Sequence, residues 1–459
     1  MHAPPLLELK TKLIINQTSK VIWLIIKDYI DKAYILWYNK YEFKGGYMFT
    51  PEQKIEHLKK LGFDGDLSEI YKLYSNKPFN VDDKNYRKLV AVSKDLCDEY
   101  TNLMALTNHQ DINIAQAAQQ RRSEIIDILF PGHGSIYGFG EWSQVVIGLV
   151  DTDGFNLINV RCKFSPTSLV HLEEYVFVAP NVIFGNTDIN NLHGILKPSK
   201  ILIKNNTWIC AAVSISENAV IGNRSVVAMG ANIVESSNFN DSKLVLGNPA
   251  IEKKTITSDY VGKITPTKIL RTDEDIKKIL QTVRELGITG DLEQYINMLE
   301  CKNHNCLEPV MNKLYTLTHQ LCAEYNHTNT SITRKKVIED ILFPLHGENL
   351  SIGTDLFVDI LGATKFGNNI IVGDRVNFAG NIDIGNNVSI GNDCILQTIG
   401  HEMYYKKRQL EFHTDGYPIE INTCGFITVK DDLTLANGTK ILPCVTLDRN
   451  TTENELVIK

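Results

Sequence analysis

From Phe366 to His401 the chain repeats every six residues. Phe366, Val372, Phe378, Ile384, Ile390 and Leu396 each open a unit, and Gly367, Gly373, Gly385 and Gly391 follow four of them. An α-helix would need apolar residues three and four apart. One inward aliphatic per six, followed by a residue that tolerates a tight turn, is instead the pattern of a parallel β-helix. The last unit ends in His401. A polar, aromatic-rich excursion from Glu402 to Tyr417 follows, and the sixes resume at Val429, Leu435, Ile441 and Leu447.

The same register occurs upstream, with openers at Ile158, Phe164, Leu172, Val178 and Phe184, and after a loop at Ile203, Ile209, Ile215, Ile221, Val227 and Ile233. The residues ahead of each run also recur. Leu61–Leu67 returns as Leu286–Leu292 and Leu96–Tyr100 as Leu321–Tyr325, both 225 positions on, whereas Asp127–Pro131 returns as Asp340–Pro344 after 213. The first copy therefore carries 12 extra residues, expected around Asn108 to Gln119. The expected fold is mainly β: two parallel β-helix prisms, each preceded by an α-helical module. The expected boundaries are an N-terminal helical segment (1–45), helical module and β-helix of copy one (46–145, 146–258), and the same pair for copy two (259–347, 348–459). Copy one closes with Gly247-Asn248-Pro249-Ala250 and a lysine pair, while copy two is expected to stop without a closing coil.

A net charge of −7 offers nucleic acid or an anionic membrane no attraction. The apolar run Val21–Ile26 is too short to span a bilayer. Nine cysteines without a framework and without an export signal predict reduced thiols in a cytoplasmic protein. Cys301, His304 and Cys306 have metal-like spacing but too few partners, so no metal site is expected. Tyr404–Arg408 reads as a solvated loop face.

The hexapeptide run, the histidine that ends a unit before a protruding loop, the Gly-Asn-Pro-Ala ending and a helical module finishing in Glu324-Tyr325-Asn326-His327 together resemble the maltose/galactoside O-acetyltransferases of the left-handed β-helix superfamily. The resemblance covers nearly everything after residue 46, in two divergent copies. It implies a homo-oligomer of packed prisms that moves an acetyl group from acetyl-CoA to a sugar or amino-sugar hydroxyl or amine, at clefts between prisms.

Carried over by position, the family's catalytic base falls on His401. Copy one has Ile189 there, with Asp188 adjacent and His193 in the loop. The family's acceptor-binding asparagine falls on Asn159; copy two has Ala379 in register, with Asn377 and Asn381 displaced nearby. The CoA-lining tryptophan falls on Trp208, matched by Thr434 in copy two. The CoA-binding ending falls on Gly247, Asn248, Pro249 and Ala250, with Lys253 beyond. Each copy thus holds half of the implied set, and a composite site of His401 with Asn159, Trp208 and the Gly247–Ala250 segment follows. A neutral imidazole suits proton removal from a hydroxyl near pH 7. The alternative is an inactive duplicated scaffold with a binding or assembly role. A prism carbonic anhydrase is disfavoured, because no three histidines are suitably spaced.

Overall fold

The structure is a computed structural model that describes residues 49–107, 111–134, 136–186, 192–258, 271–408, 411–412 and 418–457. The expected N-terminal helical segment and residues 259–270, at the expected start of copy two, lie outside these residues.

Four helices open the first half: α1 (Pro51–Lys60), α2 (Ser68–Tyr74), α3 (Lys84–Leu103) and α4 (Ile112–Leu129). Four more open the second: α5 (Asp273–Glu285), α6 (Glu293–Leu299), α7 (Pro309–Asn326) and α8 (Ile332–Leu342). Thr50 and Thr272 start α1 and α5 with reciprocal capping boxes, satisfying amide groups that the first helical turn leaves unbonded. The extra residues of the first half fall in a longer α4 and the turn ahead of it, since α4 has 18 residues and α8 has 11. Equivalent hydrogen bonds tie both helical modules to the strands that follow. Tyr100 donates to Phe139 O (2.7 Å) and Tyr325 to Ile352 O (2.9 Å); His133 Nε2 meets Asp127 (3.0 Å) and His346 Nε2 meets Asp340 (2.9 Å).

Most strands between Ile136 and Thr255 form three sheets of five, seven and four strands, and most between Leu350 and Val457 form three of four, five and four. Pairing within these six sheets is parallel, except where Lys243–Gly247 meets Ala250–Thr255. In unbroken coils partners lie 18 residues apart, as with Ile203 and Ile221, which is three sides of six. Every expected opener is buried, from Ile158 and Phe164 to Ile441 and Leu447, so one side chain per side fills each coil. Each coil and its helical module share one continuous hydrophobic core.

Two expectations need correction. Against the expectation that the second half lacks a closing coil, past Leu447 the chain makes one more strand, Leu456–Val457, paired parallel with Lys440–Ile441. The glycines after the openers also act differently from the expected turn-making. Left-handed backbone falls two residues later, at Asn369, Arg375, Asn387 and Asp393. Gly385 is required by proximity, since a Cβ there would sit 2.7 Å from Asp431 N in the coil above. The left-handed corners suit asparagine, whose short amide bonds locally. Here it also bonds between coils, Asn349 to Asn369 to Asn387 to Asp432, each at 2.8 Å.

The two coils meet along a seam. Ala211 and Met229 of the first pack with Ile395, Leu442 and Leu456 of the second. Arg161 crosses the seam to Asn377 Oδ1 and Asp355 O, both at 3.0 Å.

Candidate functional site

The seam opens into a cavity of about 310 Å³ walled by both coils. The first coil contributes Asn159, Phe177 and Trp208; the second contributes Asn377, His401 and Glu420, and α7 adds Tyr315 and His319.

His401 follows Ile399–Gly400, a short strand paired antiparallel with Ile421–Cys424 on the return from the excursion. That pairing carries Glu420 back beside the histidine. Glu420 Oε1 lies 3.3 Å from His401 Nδ1, off the line of a hydrogen bond, and Nδ1 has no other partner. Across the seam the imidazole stands edge-on to Trp208 (ring centres 5.2 Å apart, 82°) and tilted against Phe177 (5.5 Å). Gly400 permits this approach: a Cβ at 400 would come within 3.3 Å of the Trp208 ring. Among the described residues Nε2 has no protein partner, which leaves it available to a ligand.

Burial, reinforced by Arg408 and His304, pushes the imidazole down to about 3, so it is neutral at pH 7. Burial pushes Glu420 the other way, up to about 7, against the opposing hydrogen bond from the Cys306 thiol. Low polarity thus disfavours the charged form of both groups.

Asn159 lines the cavity with its Oδ1 accepting from Val160 N (2.7 Å). Trp208, 9% exposed, lies in the strand between Phe177–Val178 and Val226–Val227, one residue before an opener, so it faces out of its own coil. Asn381 is elsewhere: it is fully buried, does not line the cavity, and donates to Met298 O (2.6 Å) and the sulfurs of Cys301 and Cys424. Its register neighbour Asn377 reaches the cavity instead. Gly247, Asn248, Pro249 and Ala250 form the turn of the closing hairpin, with a cis Asn248–Pro249 bond, and Lys253 is exposed on its return strand; none of the five lines the cavity. Ile189 lies outside the described residues, and His193 pairs with Asp82 (3.0 Å) on the surface.

The loop face is less solvated than its composition predicts. Arg408 is buried and donates to Asn206 O (2.8 Å) and Glu402 O (2.9 Å), because the excursion folds back on the first coil. Cys306 N donates to Glu420 O (3.0 Å), and Cys301 packs against Phe426. No cluster of three or more His, Cys, Asp or Glu is placed to hold a metal among the described residues. Sequence reasoning missed Phe177, Tyr315, His319, Asp359, Glu420 and Asn422. Phe177 had a signal, since it precedes the opener Val178 as Trp208 precedes Ile209. The others come from α7, a corner and the far side of the excursion, where the six-residue register is silent.

The class these features define is a three-sided parallel β-coil protein with a cavity between two coils. Comparison with known proteins adds likenesses. No family model matches the chain, and no curated protein matches its sequence. Among solved structures it is similar to a hexapeptide-repeat acetyltransferase of Vibrio cholerae O1 biovar eltor complexed with acetyl coenzyme A (19% identity, 41% of this chain and 99% of that one, TM-score 0.33). It is also similar to a maltose O-acetyltransferase of Clostridium difficile 630 (22%, 42% and 100%, 0.33) and to a galactoside acetyltransferase in complex with coenzyme A (16%, 42% and 92%, 0.31). Identity and TM-score this low assign the chain to no family.

Proposed function

We propose that the chain is a CoA-dependent acetyltransferase built from two divergent copies of one left-handed β-helix unit, with a sugar or amino-sugar acceptor and a single site shared between the copies. The observation that carries this is the contact of His401 in one coil with Trp208 of the other, at the wall of a cavity large enough for a small acceptor. Acetyl-CoA supplies the acyl group as an activated thioester. Trp208 and Phe177 offer the donor an apolar wall, and Asn159 offers the acceptor an amide. His401 Nε2 takes the proton of the attacking hydroxyl. When its own carboxyl is ionised, Glu420, with Oε1 3.3 Å from Nδ1, steadies the imidazolium that forms, and the proton then passes to the departing thiolate. The oxyanion needs backbone donors at a coil turn.

Gly247–Ala250 and Lys253 lie off the cavity, at the end of the first coil; in this reading they meet the far end of the CoA molecule. All nine cysteines are free thiols, which supports a reducing, cytoplasmic setting. Association of whole chains belongs to the same reading, through open coil faces such as the one bearing exposed Ile371.

The inactive-scaffold reading has one observation in its favour: an imidazole held near 3 is a weak base. Thiol release from acetyl-CoA with a panel of sugars separates the two. Transfer that disappears in His401→Ala supports the enzyme, whereas transfer indifferent to that change removes His401 as the base. Absence of transfer with every acceptor favours the scaffold.

A further inference from the structure

The cavity wall carries two acidic side chains, Asp359 and Glu420, and no lysine or arginine among the described residues. Asp359, just past strand Phe357–Val358, lines it, and the His319 imidazole Nε2 lies 3.8 Å from its carboxylate. His319 stands between two carboxylates, with Glu141 Oε2 at 4.0 Å from Nδ1, and its Nε2 is buried without a hydrogen-bond partner. Independently, Asn422 is 8% exposed, lines the same cavity, and presents a buried Oδ1 that no protein donor meets. A buried acceptor left unpaired is costly, so it points to a donor that arrives with a ligand.

Neighbouring cations are occupied. Arg122 bonds Glu141 at 2.6 Å, Arg161 is spent on Asn377 and main-chain carbonyls behind Phe357, and Arg408 is spent on carbonyls of the excursion. No lysine or arginine lines the cavity among the described residues. A phosphate or carboxylate would meet Asp359 and Glu420 without a counter-charge.

We propose that the cavity recognises an acceptor bearing a protonated primary amine, an amino sugar or related amino-polyol, with the ammonium received by Asp359 and a hydroxyl received by Asn422 Oδ1. This rests on the transferase reading for why an acceptor enters; it concerns recognition and is separate from which atom attacks.

The test is binding without acetyl-CoA. Calorimetric titration of the full chain with glucosamine, glucose and glucose 6-phosphate is expected to rank them in that order, glucosamine ahead of glucose by about tenfold. Asp359→Asn brings the first two together, and Asp359→Glu retains the preference. Equal affinities, a preference for the phosphate, an unchanged ratio in Asp359→Asn, or binding of none of the three overturns the proposal. Amine selectivity in a protein that transfers no acetyl group sinks the transferase reading alone. His401-dependent acetylation of neutral sugars without amine selectivity sinks this proposal alone.

Discussion

His401 and Glu420 are buried beside each other, and their basicities move in opposite directions. If His401 is the base, His401→Ala lowers acetyl transfer by about 10²–10⁴-fold in the thiol-release assay. Glu420→Gln lowers it less, and it removes a rise in rate through pH 7 that the wild type owes to ionisation of Glu420. Stability carries the same groups. His401 and His304, held down to about 3 and about 4, stay neutral when folded, so the stability they contribute above pH 6.5 is lost as pH falls toward those values. Glu420, held up to about 7, acts in reverse and favours the fold most at low pH. Between pH 4.5 and 6.5 these two histidines outweigh the one carboxyl, and the three together contribute a fall in stability on acidification of about 1.4 kcal/mol per pH unit; urea denaturation of wild type beside His401→Asn is expected to show the variant's slope lower by about that amount. His401 was legible because it ends a counted unit. Glu420 was not, since only the antiparallel pairing of Ile399–Gly400 with Ile421–Cys424 brings it close.

The coil is the element that the six-residue register describes best. Openers had to be apolar because each meets the core, and all of them do. The register misled about the residue after the opener, whose need for glycine comes from the coil above. Gly385→Ala forces a Cβ against Asp431 and should cost about 1–3 kcal/mol in thermal or urea unfolding, with the coil preserved. Asn387→Val places a β-branched residue at φ 55° and breaks the link to Asp432; about 1–2 kcal/mol is expected by the same measurement. Asn159 and Asn381 differ for a related reason. Both are expected near the acceptor, but the side chain of Asn381 turns into the helical module, where Met298 O and two sulfurs receive it.

At the scale of the molecule, two cores are joined by a seam that also encloses the cavity. Truncating Ile395, which packs against Ala211 and Met229, loosens the joint while leaving each core intact. Ile395→Ala is expected to cost about 2 kcal/mol or more and to split the calorimetric transition in two, with a parallel loss of any acetyl transfer. The sequence by itself determined the sides, the sixes, the inward residues, the helical modules and the position of His401, because all of these follow from local periodicity and from which side chains water expels. Only the tertiary structure decided that His401 stands against Trp208, that Glu420 returns to its side, and that Gly247–Ala250 stays away. Those placements depend on the packing of outward-facing residues across a seam and on the path of an aperiodic excursion, and neither leaves a repeating trace in the chain.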